Sequence, residues 1–317
     1  MQYRRASGSG LTLPELSLGL WHNFGTDRDL DTQRAIVLRA FDLGITHFDL
    51  ANNYGPPPGA AEETFGRILR RDLHRYRDEI VIATKAGYRM WEGPYGDGGS
   101  RKSMLASLHQ SLSRLGVEYV DIFYSHRPDP NTPIEETMGA LTRALQSGKA
   151  LYPALSNYDA EQTRAAQSAL TRNGTPAVLH QTRYSMLDRT YEHTLQHVLT
   201  ELSIGTTVFS PLAQGLLTDR YLGGGTPDGS RATTSPFLHR ADITQTYLRT
   251  AHALNALAAE RAQTLSQFAL TWVLRDPAVT SAIIGASSVE QLEQNMHILT
   301  APPLSTAELA AIEMVLQ

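Results

Sequence analysis

The chain has 317 residues, enough for two ordinary domains or one large barrel. Its 28 Lys and Arg against 32 Asp and Glu give a net charge of −4 with no block of one sign, which argues against nucleic acid or an anionic membrane as the main partner. The absence of cysteine excludes a disulfide scaffold, a thiolate metal site and a cysteine nucleophile.

The opening residues, MQYRRASGSGLTLPEL, lack the apolar run of a secretory leader, and no later stretch is apolar for long enough to span a bilayer. A soluble, cytoplasmic protein is expected. Residues 2–14 read as a small hairpin. Short apolar, β-branched runs then recur: LSLGLW (16–21), THFDLA (46–51), IVIATK (80–85), VDIFYS (120–125), LYPALS (151–156), AVLHQT (177–182), TTVFS (206–210) and SAIIGA (281–286). Helix candidates lie between them at 32–43, 61–74, 103–115, 134–147, 160–172 and 190–203, and others at 289–299 and 305–316 close the chain. Gly44, Gly116 and Gly148 each stop a helix just before a strand. Strands alternating with helices give parallel βαβ units, and eight of them predict one α/β domain over 1–317. It would be a (β/α)8 TIM barrel with the N-terminal hairpin closing one end and C-terminal helices packed outside.

No linker divides the chain. Two long irregular stretches, 87–101 and 222–243, both follow predicted strands, so they belong at the C-terminal rim of such a barrel. Catalytic side chains in barrels sit at strand C-terminal ends. Here those ends read Trp21-His22, Asp49 to Tyr54, Thr84-Lys85, Ser125-His126, Ser156-Asn157, Gln181, Ser210 and Gly285. FDLANNYG (48–55) is the most unusual, because it puts a carboxylate inside an apolar strand and a phenol five residues later.

FDLANNYG, then TK at 84–85, YSH at 124–126, SNY at 156–158 and SPLAQGLLTDRY at 210–221 fall in an order that resembles the aldo-keto reductase superfamily over nearly the whole chain. SLGLWHNFG, THFDLANNYGPPPG, KAGYRMWEGPYGDGGSRK and IIGASSVEQLEQN look most like its bacterial L-glyceraldehyde 3-phosphate reductases and their relatives, the potassium-channel β subunits. The resemblance implies a catalytic set of Asp49, Tyr54, Lys85 and His126, with Tyr54 as general acid. The residue chemistry agrees. Reducing a carbonyl requires a proton donor at the developing alkoxide. A tyrosine holds that proton, a lysine ammonium stabilises the phenolate, and a carboxylate keeps the ammonium charged and in place. His126 adds a hydrogen bond to the substrate oxygen. Singly, each has an ordinary explanation, such as a satisfied buried acid, a surface aromatic, a solvent-reaching lysine or a rim histidine. His47, beside Phe48, reads as a packed, hydrogen-bonded core histidine.

Neither G-x-G-x-x-G after a first strand nor a P-loop is present, so a Rossmann or P-loop site is not expected. By resemblance, an extended NADPH lies across the rim. Trp21 would border it, Ser156, Asn157 and Gln181 would hold the carboxamide, and Phe209 would stack on the nicotinamide. The turn of Ser210, Pro211, Leu212, Gln214 and Gly215 would meet the pyrophosphate. Gly285, Ser287, Gln291 and Asn295 would take the adenosine end. Arg220 and Arg231 suit the extra phosphate of NADPH, a preference left to them because Gly285 and Gln291 stand where many family members carry Lys and Arg.

For substrate, Trp21, Tyr54, Tyr88, Trp91 and His126 would wall the pocket, with Tyr95 a further aromatic, and Arg89 and Arg101 are candidates for a phosphate on a small aldehyde. The expected activity is reduction of small aldehydes or ketones, chiefly L-glyceraldehyde 3-phosphate and also methylglyoxal. A homo-oligomer, tetramer or octamer, is plausible by resemblance, and loop 222–243 is expected to fold over the pyrophosphate. Rival readings are a channel-β-like regulatory subunit that senses redox state through NADP(H), a Schiff-base aldolase using Lys85, and a metal hydrolase using His22, Asp49, His126 and His180. The last lacks H-x-H or H-E-x-x-H spacing, and no metal is expected.

Overall fold

The computed structural model describes residues 1–227, 230–234 and 238–317. The chain opens on an antiparallel hairpin of β1 (Tyr3–Arg5) and β2 (Thr12–Pro14). Then follow β3 (Leu16–Gly19), α1 (Leu30–Asp42), β4 (His47–Asp49), α2 (Ala60–Ile68), β5 (Val81–Ala86), α3 (Arg101–Leu115), β6 (Val120–Ser125) and α4 (Ile134–Gln146). The second half holds β7 (Ala150–Ser156), α5 (Ala160–Arg172), β8 (Leu179–Arg183), α6 (Thr190–Thr194), α7 (Gln196–Glu201), β9 (Gly205–Phe209) and the short α8 (Arg231–Thr234). It ends with α9 (Gln245–Glu260), α10 (Leu265–Leu274), β10 (Val279–Ile284), α11 (Val289–Met296) and α12 (Thr306–Leu316). Strands β3 to β10 pair in parallel and close on themselves through β10 and β3, giving the expected eight-stranded barrel wrapped by helices.

Helix starts follow from local chemistry. The Asp29 carboxylate accepts from Thr32 N–H, and Asp159/Gln162, Thr264/Gln267 and Ser305/Glu308 form reciprocal capping pairs. Two predicted helices are more broken than their sequence pattern implies. The 61–74 candidate ends its α-turns at Ile68 and widens over Leu69–Leu73, which keeps Leu69 and Leu73 buried. The 190–203 candidate divides at Leu195, which buries Tyr191, Leu195, Val198 and Leu199 against the barrel.

The barrel interior is layered. At its floor, Ala6, Leu11 and Leu13 of the hairpin region meet the inward side chains Ala83, Ile122, Tyr124, Ala154 and Leu179, so the hairpin closes the bottom as expected. One layer below Asp49, His47 is fully buried with Nδ1 2.8 Å from Ser17 Oγ, which in turn contacts Ser281 Oγ. Outward-facing residues such as Phe48 and Phe123 join the larger core under the helices, where Phe48 packs 4.9 Å from Phe65. No described helix is long and apolar enough to cross a membrane.

Candidate active site

Register brings the first pair together. Asp49 lies level with Ala83, so Lys85, two residues further along β5, faces the same interior one layer higher. The Lys85 ammonium donates to Asp49 Oδ2 at 2.7 Å, to the Leu50 carbonyl at 2.7 Å and to the Tyr54 hydroxyl at 3.2 Å. Three acceptors match the three N–H donors of a charged amine. An ammonium so engaged has no lone pair to add to a carbonyl, so the arrangement favours a hydrogen-bonding role for Lys85 over the aldolase reading.

Lys85 is fully buried and Asp49 nearly so. Burial lowers the lysine's pKa, opposed by the charge and hydrogen bond of Asp49. Burial, reinforced by the Asp49 charge, raises the Tyr54 pKa well above the usual phenol. The phenol therefore stays protonated until a stronger base forms beside it. The Lys85 ammonium, 3.2 Å from the hydroxyl, is the one cation in direct contact with that oxygen among the described residues.

His126 follows the end of β6, and its ring meets Tyr54 edge-on at 5.8 Å. Burial, then the charges of Lys85 and Arg127, holds its pKa well below the usual imidazole value. It is neutral at neutral pH and carries one N–H, so it can donate a hydrogen bond but is not a proton reservoir. Trp21, 5.9 Å from Tyr54, and Tyr88, edge-on to His126 at 4.6 Å, complete an aromatic wall. Trp91 is half-buried where its loop folds back on Gly96, whereas Tyr95 is exposed with Lys102 over its ring.

The rim residues assigned to a cofactor are brought to adjacent strand ends. Ser156 and Gln181 are level in the β7–β8 register, and Asn157 N–H donates to the Gln181 carbonyl. Gln181 reaches deeper than a rim contact. It is buried, and its Nε2 donates to Asp49 Oδ1 at 2.9 Å, so the carboxylate is held by Lys85 on one oxygen and Gln181 on the other. Phe209 is half-buried with the Arg183 guanidinium 5.9 Å from its ring centre.

After Phe209 the chain turns sharply. Ser210, Ala213 and Gln214 take left-handed backbone angles, as does Asn157 across the rim. Ala213 and Gly215 use their N–H groups on the Ser210 and Leu212 carbonyls, while Pro211 is buried and Leu212 half-buried. Further round, Gly285 and Ser287 are exposed, and Gln291 folds back to accept from Ser287. Asn295 is buried with Nδ2 lacking a partner among the described residues. Four strained residues at the rim and one orphaned amide fit an extended polar ligand lying there. Arg220 is exposed, and the side chain of Arg231 lies outside the described residues. The expected closure of 222–243 also falls partly outside them. Among the described residues, no three His, Asp or Glu side chains gather as metal ligands.

Residues 15–317 match the model of the Aldo/keto reductase family. An L-glyceraldehyde 3-phosphate reductase of Escherichia coli K12 is 53% identical, the alignment covering 99% of this chain and 92% of that protein. A probable voltage-gated potassium channel subunit beta of Oryza sativa subsp. japonica is 35% identical over 100% of this chain and 97% of its own length. A putative voltage-gated potassium channel subunit beta of Schizosaccharomyces pombe is 36% identical over 93% and 87% respectively.

Proposed function

The chain belongs to the aldo/keto reductase family and is an oxidoreductase, and from that premise we propose that it reduces small aldehydes, L-glyceraldehyde 3-phosphate foremost and methylglyoxal as well, using NADPH. The observation that carries this reading is the single ammonium, Lys85, bridging the Asp49 carboxylate and the Tyr54 hydroxyl inside an aromatic pocket. The relative named for L-glyceraldehyde 3-phosphate reduction, at 53% identity, supports the substrate.

Bound NADPH would supply the hydride to the carbonyl carbon. Tyr54 and His126 would direct their hydrogen bonds at the carbonyl oxygen. As negative charge grows there, Tyr54 gives up its proton, the oxygen becomes a hydroxyl, and Lys85 holds the phenolate until solvent returns a proton. Asp49, gripped by Gln181, keeps Lys85 charged and in place. Ser156, Asn157, Phe209, the Ser210–Gly215 turn, Arg220, Ser287, Gln291 and Asn295 would hold the cofactor, with Gln181 offering the amide oxygen and second N–H that its bond to Asp49 leaves over.

The test is loss of NADPH absorbance on adding L-glyceraldehyde 3-phosphate, with its D-isomer and methylglyoxal run in parallel. Rapid turnover of the L-isomer is expected. The channel-β relatives favour a second reading, a regulatory subunit that holds NADP(H) and turns over slowly. Tight NADPH binding without turnover of any of the three aldehydes would select it.

A further inference from the structure

We propose that Arg127 is the residue that recognises the substrate's anionic end, a terminal phosphomonoester, and that Asp97 occupies the guanidinium until the phosphate arrives. The proposal rests on the reductase reading above and goes further by assigning the phosphate subsite.

Arg127 directly follows His126, and its guanidinium carbon lies 4.7 Å from the centre of the Tyr88 ring. The same ring meets His126 at 4.6 Å with the two planes nearly perpendicular. Two such steps put the positive charge within about 9 Å of the histidine that faces Tyr54. Four bonds of roughly 1.5 Å separate the carbonyl carbon of a three-carbon aldehyde phosphate from its phosphorus, about 5 Å when extended. With the carbonyl between Tyr54 and His126, a phosphate directed along Tyr88 covers about half of the distance to the guanidinium, whose outer N–H groups span part of the rest. The charge already acts on the pocket, since Arg127 is one of the groups that hold His126 neutral.

The head group is also aimed. Nε donates to the Gly87 carbonyl at 2.9 Å, which ties the loop after β6 to the loop after β5. Nη2 donates to Asp97 Oδ1 at 2.7 Å, and Nη1 has no protein acceptor among the described residues. The Asp97 contact is exposed, with side-chain exposures of 36% for Arg127 and 48% for Asp97. An ion pair this exposed holds weakly, and a dianion able to take both outer N–H edges displaces it. The rest of the loop is braced independently, through Gly99 N–H on Asp129 and Thr137 on the Gly99 carbonyl, so Asp97 can let go without freeing it.

The two arginines suggested by sequence are placed less well. Arg89 is 63% exposed and paired with Glu92 in its own turn. Arg101 starts α3 with its guanidinium against Gly139 of α4, on the outer helical layer.

The test compares kcat/KM for L-glyceraldehyde 3-phosphate and for unphosphorylated L-glyceraldehyde, with NADPH, in the full chain and in R127Q, R127K and D97N. The wild-type chain should prefer the phosphorylated aldehyde. R127Q should lower the ratio of the two values by about 100-fold, mainly through KM for the phosphate ester. R127K, which keeps the charge without the planar fork, should lower it by roughly 10-fold. D97N should hold or raise the ratio. If R127Q and R127K keep the wild-type ratio while the phosphate ester is still turned over, Arg127 is not the phosphate reader and the reductase reading stands. If the wild-type chain reduces neither aldehyde, the reductase reading fails, and the phosphate assignment fails with it.

Discussion

Lys85 engages three acceptors and Tyr54 contributes only one of them, so the two residues can be separated by substitution. Tyr54→Phe removes the transferable proton yet leaves Asp49 and the Leu50 carbonyl on the ammonium. Stability should change by about 1 kcal/mol, the worth of one ordinary hydrogen bond. Reduction should fall by roughly 10²- to 10⁴-fold, with NADPH affinity measured by fluorescence titration kept within a few-fold. Turnover near the wild-type rate would remove Tyr54 from the chemistry. The sequence exposes Asp49, Tyr54, Lys85 and His126 because each is a polar group at a place where an apolar strand ends. It does not show that Gln181 holds Asp49, since that contact joins residues 132 positions apart and depends on side-chain reach. For the same reason it points to Arg89 and Arg101 by loop membership, whereas Arg127 is singled out only by its contacts in space, with Tyr88, Gly87 and Asp97.

Among the elements, α2 does most to position Tyr54, whose carbonyl accepts the N–H groups of Gly59 and Ala61 at the helix start. From the same helix, buried Glu62 accepts from Thr84, next to Lys85 in sequence, and pairs with Arg114 of α3. Gly66 sets how closely α2 approaches α3. A β-carbon there would lie 2.4 Å from the Arg114 carbonyl oxygen and 2.8 Å from that of Leu115. Two effects of Gly66→Ala oppose each other. Helix propensity favours Ala by up to about 1 kcal/mol, but overpacking against backbone costs roughly 1–3 kcal/mol and cannot be relieved by turning a side chain. The clash should win, lowering the thermal midpoint and, because α2 carries the backbone of Tyr54, lowering kcat too. A more stable variant would show that the helices separate freely. Strand order and most helices are legible from short β-branched runs and glycine stops. α10 is harder to read, because LSQFALTWVL is apolar nearly all round and periodicity alone does not separate such a run from a buried strand. The left-handed residues Ser210, Ala213 and Gln214 are also hidden, because no glycine marks those three positions.

Over the whole molecule, the barrel interior sets a limit on acid stability. His47 and His180 are fully buried, and burial lowers the pKa of each to about 4; His126 is held well below its usual value as well. In the unfolded chain all three titrate near 6.5. Between roughly pH 6.5 and 4 the unfolded state therefore binds protons that the native state refuses, and stability falls as pH falls. By pH 4, His47 and His180 each remove on the order of 3 kcal/mol, a large share of an ordinary domain's 5–15 kcal/mol. Carboxylates act lower: Glu308, held at about 2 first by its hydrogen bonds with Ser305 and then by Arg261, loses its contribution only as pH drops below the ordinary glutamate range. The urea midpoint should thus decline steadily from pH 7 to pH 4.5, before carboxylate protonation dominates. His47→Gln keeps a group able to bond Ser17 and removes one titrating site, so its midpoint should decline less steeply over the same range. Parallel curves for the two proteins would mean that the barrel admits a proton to His47 without cost, which would require water or a carboxylate contact at its Nε2, which has no partner among the described residues.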